Sequence, residues 1–200
     1  AALRTRAEMK GDQYIVNGEK LFITNAAPGG TVAVLCKVDG ELRMLVAELH
    51  VIEGDRFRTV TYQLKAPRHV TNLCLIFDEF PVPSANLLDA KGRAVAYHGL
   101  NHGRVLVATF AAGMLRLMAG MMGPWVNTRE TFGAPIGSRE LVQRRLGRLA
   151  ARIVACDALV AWTSQLLDAG YRGELECVTA KVVASEMLKE ATLDLLLKTY

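Results

Sequence analysis

Through roughly the first 85 residues, apolar and polar positions alternate with a period of two; beyond that, apolar residues recur every three or four. The first rhythm sends neighbouring side chains to opposite faces of a strand, and the second lines one face of a helix. Strands are predicted over 4–10, 14–16, 20–24, 32–38, 42–49, 56–63 and 72–80. Gly11-Asp12, Asn17-Gly18 and Asp39-Gly40 are read as turns, because the latter two supply the positive φ that a two-residue hairpin requires. Pro67 and Pro81-Val82-Pro83 are read as stops, since proline cannot donate to a ladder. Short strands at such close spacing make a small antiparallel barrel or sandwich.

A long helix is predicted from Gly92, with Asp89 as its cap, through Asn127; Gly123-Pro124 is expected to kink or interrupt it. A second runs over 138–168, where Val142, Leu146, Leu149, Ile153, Cys156, Val160, Thr163 and Leu167 form one stripe. A third starts near Glu174 and packs through Ala180, Val183, Ala184, Met187, Ala191 and Leu195, with Lys181 and Glu186 facing water. Gly133, Pro135 and Gly137 break the chain between the first two rods. The predicted fold class is α+β in two domains: an antiparallel β-barrel over 1–85, then an all-α helical bundle over 86–200.

Composition narrows the partners. A chain of 200 residues that is 51% hydrophobic and 22% charged can bury a sizeable core. A net charge of +4 is too mild to argue for nucleic acid and favours small anions. Cys36, Cys74, Cys156 and Cys177 have neither zinc nor disulfide spacing and are read as reduced core residues of a cytoplasmic protein. Residues 1–8 lack the apolar segment of a signal peptide. The window 105–126 is long and apolar enough for a membrane span, but Arg116 interrupts it at a cost of about 3 kcal/mol. A helix enclosed by other helices has the same composition, and no membrane span is expected.

Three clusters bear on chemistry. Arg129 and Phe132 precede the breakers, a planar cation beside an aromatic ring; that pair suits a flat anionic ligand such as a nucleotide diphosphate, and equally an ordinary connector between helices. His98 and His102 lie one helical turn apart, without a third ligand to make a metal site. Arg144, Arg145, Arg148 and Arg152 share an arc of about 100° on the second helix, a basic face that Glu140 and Asp157 mark as solvated or intersubunit.

Gly11-Asp12, Asn17-Gly18 and Phe22-Ile23-Thr24-Asn25 resemble the middle-domain segment of the acyl-CoA dehydrogenase family. Arg129-Glu130-Thr131-Phe132-Gly133-Ala134-Pro135-Ile136 is similar to that family's Arg-x-x-Phe-Gly-x-Pro-Ile, and Ala180-Lys181 with Ala184-Ser185-Glu186 resembles a third segment. The resemblance implies FAD, with Phe22, Ile23 and Thr24 beside the flavin: Phe22 against the ring, where most members carry Trp, and the Thr24 hydroxyl near N5 and O4. It implies that Arg129, Thr131 and Phe132 reach the FAD of a neighbouring subunit in a homodimer or homotetramer. Asn101, often Asp in the family, and Arg104 would line the substrate, Arg104 alternatively bracing the bundle.

The implied reaction is α,β-dehydrogenation of an acyl thioester of CoA or of an acyl carrier protein to the trans-2-enoyl thioester. A carboxylate takes the α proton, the β hydride goes to the flavin, and electrons pass on to an electron-transfer flavoprotein. The short turn between 37 and 43, where relatives often have a longer loop near CoA, brings the carrier protein into consideration. Two departures stand out. Gly103 occupies the place where some relatives carry the catalytic glutamate, so the base is unassigned. Glu140 replaces a Gln that approaches FAD, and a carboxylate there repels a diphosphate. A non-catalytic subunit of this fold, or a flavin-dependent monooxygenase, is the alternative. The chain has no initial Met and ends within a helix, so a piece of a longer protein with an incomplete helical domain is expected.

Overall fold

The computed structural model describes residues 3–63, 70–89 and 91–199. The expected stop at Pro67 lies outside the described residues. The chain divides into two compact units, Ala1–Ala96 and Tyr97–Tyr200.

The first unit holds β1 (Arg6–Lys10), β2 (Gln13–Thr24), β3 (Thr31–Val38), β4 (Glu41–Glu48), β5 (Phe57–Thr61) and β6 (Asn72–Pro83). They form one six-stranded sheet in the order β4-β3-β1-β2-β6-β5. This corrects the closed antiparallel barrel: the end strands β4 and β5 do not pair, and β1 runs parallel to β3 through Arg6 and Lys37. Closure is not needed to protect the β4 edge. The chain leaving β6 runs alongside it, with Leu88 N–H donating to the Met44 carbonyl at 3.0 Å and the Asn86 amide donating to the Val46 carbonyl at 2.9 Å.

Asn17-Gly18 does not turn the chain. β2 continues through it, paired with β6, and the register slips there because β6 carries one extra residue, Glu79, at φ 46°. Asn17 holds this bulge from across the ladder: its Oδ1 accepts from Glu79 N–H at 2.9 Å, and its Nδ2 donates to Glu79 Oε1 at 2.8 Å. Gly18 is required because a Cβ would come within 2.8 Å of the Thr5 Cα. The bulge also shifts the phase of burial, from Leu73, Leu75 and Phe77 to Phe80 and Val82. Phe57, Phe77 and Phe80 thus meet in one aromatic core, with ring centroids 5.2 to 5.9 Å apart.

Pro81-Val82-Pro83 does not stop β6 either. Ser84 N–H donates to Asp12 O, so residues 82 and 84 face β2 while Pro81 and Pro83 face away, past the end of β5, where no donor is demanded. Gly11-Asp12 and Asp39-Gly40 are turns as expected, and Asp39 and Gly40 sit at φ 50° and 82°.

The second unit is built on α1 (Gly92–Thr128), α2 (Glu140–Asp168) and α3 (Glu174–Ala191). α1 runs through Pro124 without interruption. Met122 and Val126 on either side of the proline are buried, and that packing offsets the lost backbone bond. The predicted stripe of α2 is buried at Val142, Leu149, Cys156 and Thr163, against Ala180, Ala184 and Ala191 of α3.

By length and composition alone, α1 and α2 could each cross a membrane. Ala108, Ala111, Ala112, Leu115 and Met118 of α1 pack into the helical core, and Arg116 pairs with Asp157 of α2. Three of the four arginines on the basic face are likewise engaged within the unit: Arg145 and Arg148 with Asp194, and Arg152 with Glu190 at 2.8 Å.

Candidate functional site

The end of β2 carries the first group of site residues. Two β2 residues, Leu21 and Phe22, fall between the pairs Lys20↔Leu75 and Ile23↔Leu73, where β6 supplies only Cys74, so β2 bulges there. Phe22 takes the strain, at φ 56° in the left-handed region, which costs a non-glycine residue about 1–2 kcal/mol. Its ring is 62% exposed and stacks on Tyr62, with centroids 4.8 Å apart. A flat apolar surface is thereby presented outward. Ile23 points the other way, its side chain packed against the sheet core.

Thr24 is exposed, and its hydroxyl accepts from the Asn72 amide at 3.1 Å. With a lone pair occupied, the hydroxyl hydrogen is left to donate. The Asn72 Oδ1 is itself buried without a hydrogen-bond partner. Burial, then Cys74 and Glu19 nearby, push the Tyr62 phenol above its ordinary range. An exposed ring, a poised donor and an orphaned acceptor fit a planar heteroaromatic group with both acceptor and donor edges. Tyr62 and Asn72 escaped sequence reading because they lie on or beside strands remote in sequence from Thr24.

The second group belongs to the joint after α1. It is not a plain corner between helices but a miniature hairpin, β7 (Glu130–Thr131) and β8 (Ala134–Pro135), whose turn residues Phe132 and Gly133 lie at φ 51° and 79°. Phe132 is 98% exposed at its tip. Arg129, Thr131 and Phe132 line one cleft of about 750 Å3, together with Arg139, Arg145 and Lys198. No carboxylate lines it among the described residues.

Arg139 was not anticipated. Its Nη2 donates to the Thr131 carbonyl and to the Thr131 hydroxyl at 2.8 Å, and its guanidinium lies 5.3 Å from the centre of the Phe132 ring. The sequence did hold a signal, because a cation at the N-cap of α2 opposes the helix dipole and caps nothing. Glu140 is exposed, opens the first turn of α2 where a carboxylate favours that dipole, and does not line the cleft.

The predicted substrate residues turn inward. Asn101 is 2% exposed; its Nδ2 donates to the Arg172 carbonyl and its Oδ1 accepts from Arg104, both at 2.7 Å. The pair ties α1 to the loop between α2 and α3, so Asn101 is a brace, and Arg104 spends a donor on it. Gly103 between them is exposed, with no atom within 4 Å of where a Cβ would sit. The rings of His98 and His102 are 4.5 Å apart, and no group of three metal-ligating side chains occurs among the described residues.

Comparison with known proteins bears on the family of the chain. Residues 90–196 match the family described as "Acyl-CoA dehydrogenase, C-terminal domain". Mitochondrial isovaleryl-CoA dehydrogenase of Pongo abelii is 28% identical over 96% of this chain and 47% of its own length. A chain from the electron transferring flavoprotein structure of Acidaminococcus fermentans superposes with a TM-score of 0.87 at 29% identity, over 96% of this chain and 52% of its own. The acyl-CoA dehydrogenase of Bacillus anthracis, solved complexed with FAD, gives a TM-score of 0.80 at 25% identity, over 94% of this chain and 36% of its own. The chain spans about half the length of the curated relatives it matches. With the bulged β2, the Arg-x-x-Phe-Gly hairpin and this match over the helical region, the chain belongs to the acyl-CoA dehydrogenase family.

Proposed function

We propose that this chain is part of an FAD-dependent enzyme that dehydrogenates an acyl thioester between Cα and Cβ. The observation that carries the reading is the bulged end of β2, where Phe22 and Thr24 face outward in a chain of this family. FAD, when bound, supplies the acceptor for the hydride leaving Cβ. Phe22, backed by Tyr62, forms an apolar wall that keeps water from the reacting atoms. The Thr24 hydroxyl offers its hydrogen to an acceptor edge of the ring system, where reduction places charge. The α proton leaves to a carboxylate while the thioester carbonyl delocalises the charge left behind.

Gly103 has no acid to offer, so that carboxylate belongs to another residue. The same glycine favours a second reading, a non-catalytic subunit of the same fold. The relatives named above favour a CoA thioester; the two-residue turn at Asp39-Gly40 keeps an acyl carrier protein as the alternative donor. An electron-transfer flavoprotein is the proposed oxidant of the reduced enzyme. A homodimer or homotetramer is proposed from the exposed helical stripe of Leu106, Phe110, Met114, Leu117 and Met121, an apolar face suited to burial against another copy. Four buried free cysteines support a reducing, cytoplasmic setting.

Anaerobic titration of the purified protein with acyl-CoA and acyl carrier protein thioesters tests the reaction. Bleaching of the flavin band by one of them is expected. A bound flavin that no thioester bleaches overturns dehydrogenation in favour of the non-catalytic subunit or a monooxygenase.

A further inference from the structure

The cleft beside the hairpin is electrically unbalanced in a specific way. Four cationic side chains line it, and two of them are answered from within the unit: Arg145 and Lys198 approach Asp194 at 3.6 and 3.5 Å. Arg129 and Arg139 have no carboxylate within 4.0 Å among the described residues. Arg129 is exposed and solvated, whereas Arg139 is half-buried. A half-buried guanidinium without a counter-ion is costly, and an anion in the cleft would relieve that cost.

Two contacts hold the Arg139 fork in place before any ligand arrives. One terminal nitrogen is held by both oxygens of Thr131. The planar cation rests near the face of Phe132. The residue occupies the N-cap of α2, where its charge works against the helix. With Nη2 engaged on Thr131, the Nε–H and Nη1–H donors remain for a ligand.

We propose that Arg139 is an anion-contacting residue of this cleft, a second guanidinium beside Arg129, taking phosphate oxygens of the FAD diphosphate. The inference rests on the FAD reading above and extends it to a residue outside the Arg-x-x-Phe-Gly-x-Pro-Ile segment. It also answers the charge problem posed by Glu140: the carboxylate stays out of the cleft, and the residue before it supplies a positive charge within.

The test is the affinity of the purified apoprotein for FAD, read by quenching of flavin fluorescence, with riboflavin, which has no diphosphate, as the control ligand. Arg139→Gln can still bond to Thr131 but carries no charge, and it should weaken FAD binding about 10- to 100-fold, as expected for loss of hydrogen bonds to a charged group. Arg139→Lys keeps the charge and should recover most of that loss. Riboflavin binding should not change in either variant. Three results overturn the inference: FAD affinity unchanged in Arg139→Gln, Lys no better than Gln, or a change of oligomeric state with FAD affinity intact. Arg129→Ala run in parallel separates the two levels. If it weakens FAD binding while Arg139→Gln does not, only the role of Arg139 falls; if neither variant weakens it, the FAD reading falls as well.

Discussion

At the scale of single residues, neighbours do as much to define the site as the side chains themselves. The Asn72 amide occupies a lone pair of the Thr24 hydroxyl and leaves its hydrogen to donate. Thr24→Val keeps the shape and removes the hydrogen; FAD affinity measured by fluorescence quenching should fall roughly 2- to 10-fold, the range for one neutral hydrogen bond. Glu79 offers a control far from chemistry. The Asn17 amide, then Lys10, hold its carboxyl below the ordinary 4.5. A carboxyl with a lowered folded-state pKa adds stability above its unfolded value, and that stability disappears as pH falls below 4.5 toward the folded value. Asn17→Ala should move the Glu79 titration seen by NMR back up toward 4.5 and flatten the acid limb of stability. A titration that stays where it was would show that Asn17 does not set it. Phe22, Thr24, Arg129 and Phe132 stand out in the sequence, and all four side chains are exposed. The role of Asn101 was not legible, because an amide that lines a pocket and one that braces a loop read alike until the Arg172 carbonyl is found 2.7 Å away.

At the scale of elements, the informative failures were the two signals taken as punctuation. Asn17-Gly18 has the composition of a hairpin turn, and its positive φ is real, with Gly18 at 131°. That conformation serves a bulge, and the clue lay on the partner strand, where apolar residues pass from 73, 75 and 77 to 80 and 82. A period-two pattern that skips one step needs an extra residue, and the asparagine opposite is what bonds it. Gly18→Ala should therefore destabilise the protein by about 2 kcal/mol, because the added methyl meets the Thr5 backbone in a conformation alanine resists. Urea denaturation checks this; a change below roughly 0.5 kcal/mol, typical of an ordinary surface position, would contradict it. Pro81 and Pro83 misled for a related reason, since the outer side of β6 has no partner there and a missing donor costs nothing. The helices were read closely because their stripes are long, and a long periodic signal averages over local exceptions such as Pro124.

At the scale of the whole molecule, one change of hydrophobic period marks the passage from strands to helices between β6 and α1, and the family was legible from three short segments in order. The open sheet was not, because strand count and spacing do not say whether two end strands meet; here the segment after β6 shields β4 instead. Arg139 was also hidden, since its importance depends on a cleft assembled from the hairpin, two helices and the final turn of the chain. The central proposal is that the outward face of β2 contacts a flavin and that the guanidinium-bearing hairpin contacts the FAD of a neighbouring copy. The visible absorption spectrum of the purified protein, compared with that of Arg129→Ala, tests it most directly. The account predicts a flavin band in the wild type that is largely lost in the variant; a colourless wild type, or an equal band in both, would contradict it.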